Sequence, residues 1–363
     1  MKKIIISGGG TGGHIYPAIA IANAVKELDP TVEVLFVGAE GKMEMEKIPK
    51  AGYKIIGLPI VGIKRELSLS NLLFPFKLIN SLLKARSVIK NFNPDVAVGV
   101  GGFASGPLLM IASFMNIPTL IQEQNSYAGI TNKWLAKRAK KICVAYPNME
   151  QFFPKQLIKL TGNPVRKDIL DISEKRARAF EHFDLNPNRK TILVIGGSLG
   201  AKTINESIEV GLKNITDLNC QVLWQTGKLF IEQAKKSAEK YQSMVKVSDF
   251  IYEMDLAYAV ADIVVSRAGA LSVSELCLVG KPCILVPFPF AAEDHQTQNA
   301  MALVNQKAAL FVKDQNAKEE LVQTALLLLQ DPEKKQELST NIKTLAKPNA
   351  AIEIAKEVLS LIR

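Results

Sequence analysis

Twice in this chain a short apolar run ends in a cluster of glycines and continues as a periodic apolar stretch. Lys3–Ser7 leads into Gly8-Gly9-Gly10-Thr11-Gly12-Gly13 and then Ile15, Ile19, Ile21, Ala22 and Val25. Thr191–Ile195 leads into Gly196-Gly197-Ser198-Leu199-Gly200-Ala201 and a second amphipathic stretch. Each reads as strand, glycine turn, helix. Both halves continue in kind. Val32–Val37, Pro94–Val100 and Pro118–Gln122 are further strands of the first, with Gly101-Gly102 and a helix over 107–115 between the last two. Asp262–Ser266 and Lys281–Pro287 are strands of the second, separated by Arg267-Ala268-Gly269-Ala270 and a helix. Short buried strands alternating with helices predict parallel sheets covered on both faces. Two such series predict an α/β chain of two Rossmann-like domains, for which 363 residues suffice. Gly162-Asn163-Pro164 is a turn signal and sets the expected domains at 1–163 and 164–345. An amphipathic segment, Ile352–Leu361, lies within a C-terminal stretch, 346–363, expected to pack back on the first domain.

The charge is uneven. Net charge is +10, and residues 1–163 hold 20 Lys and Arg against 10 Asp and Glu, whereas the remainder is balanced at 25 and 25. The first half therefore draws anions: a phosphorylated substrate, an anionic membrane surface or nucleic acid. Lys2-Lys3 is followed by only three isoleucines before the glycines, too short a core for a secretory signal. Residues 96–122 carry no charge, but Gly99, Gly101, Gly102, Gly106, Pro107 and Pro118 interrupt them, which suits strand, helix and strand better than a membrane span. Cys143, Cys220, Cys277 and Cys283 lack metal-site spacing and read as buried reduced thiols of a cytoplasmic protein.

In open parallel sheets, ligands bind beyond the carboxyl ends of the strands. Glycine turns there bring backbone N–H groups to a phosphate, and the following helix adds its positive end. Four turns qualify: 8–13, 101–106, 196–201 and 268–271; any one of them alone could be only a tight turn. Gly8-x-Gly10-x-x-Gly13 matches a dinucleotide fingerprint, yet Glu33 lies inside the second strand and Glu40 falls too far along to be its acid. A nicotinamide oxidoreductase therefore rests on one loop. His14 places an imidazole at a helix N-terminus, which disfavours imidazolium and suits a general base; it could equally cap the loop. Glu275 could hold a ribose diol or simply complement its helix dipole. The polar run 293–299 could read sugar hydroxyls or be a solvated turn. Arg166 could fork onto a diphosphate or be an ordinary surface arginine. No Asp-x-Asp occurs, so a metal bridging a nucleotide diphosphate has no evident seat, and backbone N–H groups would have to stabilise the leaving group. Residues 64–90 interleave Lys64, Arg65, Lys77, Lys84, Arg86 and Lys90 with Leu69, Leu72, Leu73, Phe74, Phe76, Leu78, Ile79, Leu82, Leu83 and Ile89, many of which must also serve as ordinary core. With Lys137, Arg138, Lys140 and Lys141 they suggest a face for anionic lipid.

Taken in order, Gly9-Gly10-Thr11-Gly12-Gly13-His14-x-x-Pro17-Ala18, Gly101-Gly102-Phe103-x-x-Gly106-Pro107, Gln122-Glu123-Gln124-Asn125, Gly162-Asn163-Pro164-Val165-Arg166, Gly196–Ala201 and Arg267-x-Gly269-Ala270-x-x-x-x-Glu275 resemble one family. It is the bacterial family of UDP-N-acetylglucosamine transferases that convert lipid I to lipid II for peptidoglycan. The resemblance runs from residue 3 to about residue 300.

It implies a GT-B architecture, two Rossmann-like domains whose parallel sheets face an interdomain cleft, and an inverting, metal-independent transfer with no cofactor. The substrates it implies are UDP-N-acetylglucosamine and lipid I, an undecaprenyl-diphosphate muramyl-pentapeptide. It implies His14 as the base on the muramyl 4-hydroxyl. Thr11, Gly12, Gly13, Asn125, Arg166, Ser198, Ile251, the run Ala270-Leu271-Ser272-Val273-Ser274, Glu275, Gln296 and Asn299 would bind the donor. Within that set Ile251 matches the uracil contact, Glu275 the ribose contact, and Ser198 with 270–274 the diphosphate contact. Gly10, Gly101, Gly102 and Ser105 would hold the acceptor diphosphate. Further partners implied are an anionic membrane surface and other cell-wall synthesis proteins, but no nucleic acid, with the protein peripheral on the cytoplasmic face of the inner membrane. One departure is His295, where the family pairs a glutamine with the match to Gln296.

Overall fold

The structure, a computed structural model, describes residues 1–60, 74–166, 169–197 and 199–362. The chain divides into two compact units: Met1–Val165 with Asn349–Arg363, and Arg166–Pro348.

The first unit runs β1 (Lys3–Ser7), α1 (Gly12–Leu28), β2 (Glu33–Ala39), α2 (Glu44–Lys50), β3 (Lys54–Leu58), α3 (Phe74–Phe92), β4 (Val96–Gly99), α4 (Ser105–Phe114), β5 (Thr119–Glu123), α5 (Ile130–Leu135), β6 (Lys141–Val144) and β7 (Ile158–Leu160). The second runs α6 (Arg176–His182), β8 (Lys190–Ile195), α7 (Lys202–Asp217), β9 (Cys220–Gln225), α8 (Ile231–Ala238), β10 (Val245–Ser248), α9 (Met254–Val260), β11 (Ile263–Ser266), α10 (Ala270–Val279), β12 (Cys283–Leu285), α11 (His295–Val304), β13 (Leu310–Phe311), α12 (Ala317–Gln330) and α13 (Pro332–Thr344). A last helix, α14 (Ala350–Ser360), returns to the first unit.

Each unit is built on one sheet. The strand orders are β3-β2-β1-β4-β5-β6-β7 and β10-β9-β8-β11-β12-β13, and every pairing is parallel. Consecutive residues Ile4, Ile5 and Ile6 are all fully buried. A strand covered on both faces needs apolar side chains at every position, which is why these segments read as unbroken apolar runs. On one face of the first sheet, α1 brings Ile15, Ala18, Ile21, Ala22 and Val25; on the other, α3 and α4 bring Ala85, Ile89, Leu108 and Ala112. In the second sheet, Ile204, Ile208, Leu212 and Ile215 of α7 pack with Leu321, Ala325 and Leu328 of α12 over one face.

Two boundaries move from their sequence-based positions for local reasons. The strand expected over 281–287 shrinks to Cys283–Leu285, because Pro282 and Pro287 have no ladder donor to offer. The helix expected from 107 begins at Ser105, since a proline in the first turn removes only an N–H that has no intrahelical partner. The uncharged stretch 96–122 folds as β4, α4 and β5. Among the described residues no helix is long and apolar enough to cross a membrane. The four cysteines are free and buried, and burial pushes the Cys143 and Cys277 thiols up to about 12.

Helix α14 lies along α1, with Ile354, Ala355 and Val358 fully buried against the first sheet's core. Removing the Ile354 side chain to Cβ should cost about 3 kcal/mol. Urea unfolding of Ile354→Ala should show a first-unit transition at clearly lower denaturant, and an unchanged midpoint would mean that α14 contributes nothing to that core.

Candidate active site

In each sheet the strand order reverses beside the first strand: β1 lies between β2 and β4, and β8 between β9 and β11. Such a reversal splays the connections to opposite faces and leaves a crevice at the carboxyl ends of the two central strands. All four glycine turns follow those strands. Gly8–Gly13 leaves β1 and Gly101–Ser105 leaves β4; Gly196–Ala201 leaves β8 and Arg267–Ala270 leaves β11.

In the first unit the two turns touch backbone to backbone. A Cβ on Gly102, whose φ is +87°, would collide with the Gly9 carbonyl, and the Gly9 N–H donates to the Gly101 carbonyl at 3.4 Å. Gly10 also has a left-handed backbone, φ +85°. Thr11 stands at the N-cap position of α1 without a side-chain capping bond, so Gly12 and Gly13 present the unpaired N–H groups of its first turn. His14 follows on that turn. Its Nδ1 donates to the Gly9 carbonyl at 3.0 Å. A carbonyl can only accept, so Nδ1 carries a proton; in the neutral ring that contact leaves the lone pair on Nε2, the form a general base requires. The ring rests on Gly101, where a Cβ would stand 2.6 Å from Cδ2 and 2.8 Å from Nε2. Ser105 is turned inward: its buried hydroxyl donates to the Ser7 and Gly101 carbonyls at 3.0 and 2.8 Å. It braces the turn, and what it can offer an anion is the N-terminal backbone of α4.

Asn125 stands just past β5, on the same edge. Its N–H donates to Glu123 Oε1 at 3.0 Å, and Glu123 also accepts from the Gly129 N–H and Asn132 Nδ2 at 3.1 and 2.8 Å.

In the second unit, α10 opens directly on the turn after β11, with Gly269 as its extended N-cap. Ala270, Leu271, Ser272 and Ser274 are partly exposed on its first turns, while Val273 points into the core. The Ser274 hydroxyl donates back to the Ala270 carbonyl at 2.9 Å. Glu275 is 9% exposed: Oε2 accepts from the Tyr258 hydroxyl at 3.0 Å, and Oε1 lies 3.5 Å from Arg166 Nε. Burial and then the Glu275 carboxylate push the Tyr258 hydroxyl well above its usual range, so it remains a donor. Ile251 is buried, and its N–H donates to Gln225 Oε1 at 3.0 Å. Gln296 Oε1 accepts from the Phe288 N–H at 3.0 Å, and Asn299 Nδ2 donates to the Ala268 carbonyl at 3.2 Å. The 293–299 run is thus folded onto the turns after β11 and β12. Ser198 lies outside the described residues.

Three supporting residues escape sequence inspection. Glu44 is wholly buried at the start of α2, accepting from the Gly10 N–H at 2.9 Å and the Ala39 N–H at 3.0 Å. It holds the first glycine turn, whereas Glu40, the acid nearest a dinucleotide-type position, is paired with Lys84 at 2.6 Å. Gln225 accepts from Ile251 and donates to the Gly197 carbonyl at 3.0 Å, joining two loops. Tyr258 fixes Glu275. The pairings of Glu44 with Gly10, of Gln225 with Ile251 and Gly197, and of Tyr258 with Glu275 span 17 to 34 residues, so no local pattern announces them.

Along α3, Phe76, Ile79 and Leu83 are exposed on one side, with Arg86 and Lys90 also exposed and Lys84 engaged by Glu40. Phe114, Ile130 and Trp134 are exposed in the same unit, and the Arg138 guanidinium stacks 4.4 Å from the Phe114 ring. Lys64, Arg65, Leu69, Leu72 and Leu73 lie outside the described residues.

Comparison with known proteins agrees with this arrangement. Residues 4–144 match the glycosyltransferase family 28 N-terminal domain and residues 191–354 the glycosyltransferase family 28 C-terminal domain. The chain is 57% identical over 361 residues to a UDP-N-acetylglucosamine–N-acetylmuramyl-(pentapeptide) pyrophosphoryl-undecaprenol N-acetylglucosamine transferase of Cytophaga hutchinsonii, covering 99% of this chain and 97% of that one. It is 55% identical over 365 residues to the protein of the same name from Bacteroides fragilis, covering 99% and 95%. The crystal structure of Acinetobacter baumannii MurG superposes with a TM-score of 0.79 at 28% identity, covering 99% of this chain and all of that one. Two parallel-sheet α/β units of this kind constitute a GT-B fold. With both domain signatures in order, and relatives more than half identical from end to end, the chain belongs to glycosyltransferase family 28.

Proposed function

We infer that this protein transfers N-acetylglucosamine from UDP-N-acetylglucosamine to lipid I, forming lipid II for peptidoglycan synthesis. One observation carries the reading: the chain keeps more than half its residues in common with transferases of that name along its whole length. The placement of its glycine turns at both sheet reversals supports it.

In this reading the second unit binds the donor. The uracil sits by Ile251, the ribose diol donates to Glu275, and the diphosphate meets the N-terminal turn of α10 and the turn after β8, with Arg166 adjacent. Gln296 and Asn299 serve the sugar, with Thr11, Gly12, Gly13 and Asn125 contributing from the first unit. There Gly10, Gly101, Gly102 and the backbone at Ser105 receive the acceptor's diphosphate. His14 Nε2 takes the proton of the muramyl 4-hydroxyl as its oxygen forms a bond to the anomeric carbon. The bond from that carbon to the diphosphate oxygen breaks, and UDP leaves with the electron pair. Attack from the face opposite UDP inverts the anomeric centre. Charge developing on the leaving diphosphate is met by fixed N–H groups that need no reorganisation. The direct test supplies labelled UDP-N-acetylglucosamine and a lipid I analogue. Release of UDP with label in a disaccharide of inverted configuration is expected; binding of the nucleotide sugar without transfer would refute the reading.

The acceptor's lipid tail calls for attachment at an anionic membrane, which we place on the cytoplasmic face and assign to the exposed side of α3 and the Phe114–Trp134 region. Other cell-wall synthesis proteins would meet the enzyme there. Each of Phe76, Ile79 and Leu83 should contribute about 1 kcal/mol on entering the lipid interface. Serine at all three positions should lower partitioning onto phosphatidylglycerol vesicles roughly a hundredfold. Sedimentation with vesicles reads this out, and unchanged partitioning would move the membrane face elsewhere.

A further inference from the structure

A cavity of about 590 Å³ lies at the other edge of the second sheet, where β11 and β12 begin. It is bounded by the segment 169–173, the carboxyl end of α9, the residues entering β11 and β12, and one face of α13. Arg176, Lys281, Lys335 and Lys343 line it, against Asp171 and Asp262.

The two carboxylates offset only part of this charge, Asp262 pairing with Arg176. Asp262 Oδ1 stands 3.4 Å from Arg176 and 4.0 Å from Lys190, and Oδ2 accepts from the Thr191 N–H at 2.8 Å. Asp171 accepts from the N–H and hydroxyl of Ser173 at 3.0 and 2.6 Å. Among the described residues no carboxylate comes within 4.0 Å of the Lys281, Lys335 or Lys343 ammonium. Backbone carbonyls anchor three of the cations, Lys281, Lys335 and Arg176. Lys281 donates to Ala261 at 2.7 Å, Lys335 to Leu329 at 2.9 Å, and Arg176 to Ala259 and Val260 at 2.9 and 3.2 Å. Burial and repulsion from Arg176 bring the Lys281 ammonium down to about 8, Lys343 adding to the effect and Asp262 opposing it.

Like charges gathered in a solvent-open concavity form a standing positive field, and a multiply charged anion with several acceptor oxygens relieves it. We propose that this pocket binds a small soluble anion of the phosphate class, such as a diphosphate, held between Lys281, Lys343, Lys335 and Arg176. The site is separate from the second unit's two glycine turns, which occupy the carboxyl edge of the same sheet.

The test reads Lys281 directly and does not depend on sugar transfer. Full-length protein with saturating UDP is pulse-acetylated at pH 8, with and without inorganic pyrophosphate at matched ionic strength. Acetylation of Lys281 is followed by peptide mass spectrometry. Pyrophosphate should slow it at least fivefold while the exposed Lys213 labels as before. Lys343→Met, a change at an exposed position, should remove most of that protection. Equal rates with and without pyrophosphate, equal slowing by sodium chloride, or full protection in Lys343→Met would overturn the proposal. Protection by phosphatidylglycerol vesicles but not by pyrophosphate would assign the pocket to a lipid headgroup and overturn it likewise.

Discussion

Alanine in place of His14 should lower the turnover of lipid I analogue roughly a thousandfold while UDP binds as tightly as before. The size follows from the loss of a positioned general base, commonly worth two to four orders of magnitude. The selectivity follows from where the ring sits. Its Nδ1 is tied to the Gly9 carbonyl and its face lies on Gly101, both in the first unit, whereas the proposed uracil and ribose contacts, Ile251 and Glu275, belong to the second. Steady-state rates at saturating acceptor, paired with UDP titration calorimetry, separate the two effects. A large loss of UDP affinity with turnover preserved would make His14 a donor ligand.

The complementary change is Glu275→Ala. It should raise the KM for UDP-N-acetylglucosamine about a hundredfold and leave kcat within a few-fold. Two hydrogen bonds from ribose hydroxyls to a carboxylate contribute about 3 kcal/mol together, and each 1.4 kcal/mol is tenfold. Alanine also strands the buried Tyr258 hydroxyl, so some loss of stability is expected. Glu275→Gln keeps an acceptor for Tyr258, which isolates the binding effect. Tyr258→Phe should act in the same direction but more weakly, because Arg166 still faces the carboxylate. If Glu275→Gln bound donor normally, the ribose contact would have to lie elsewhere.

These assignments differ in how far the chain alone could carry them. The glycine turns were legible because backbone must approach backbone or phosphate there, and only glycine permits it. Gly102 against Gly9 and Gly101 beneath His14 are instances. The central strands were legible because burial on both faces forces unbroken apolar runs. Other strands were not: β9 is wholly buried yet carries Gln221 and Gln225, β6 opens on Lys141, β7 reads Ile158-Lys159-Leu160 and is half exposed, and β13 is two residues long. Side-chain direction was equally hidden. Ser105 looks like a phosphate donor in sequence, yet its hydroxyl closes onto Ser7 and Gly101. Glu44, Gln225 and Tyr258 act across long loops, and only the folded register brings them to the turns they support.

The Gly9 peptide orients the imidazole through its carbonyl and abuts Gly102, a lining of the same cradle. On the proposed assignment, seating of the acceptor and aiming of the imidazole therefore share one peptide. An acceptor docked askew against that peptide should then misdirect the ring, so the proposed proton transfer would discriminate among acceptors as well as docking does.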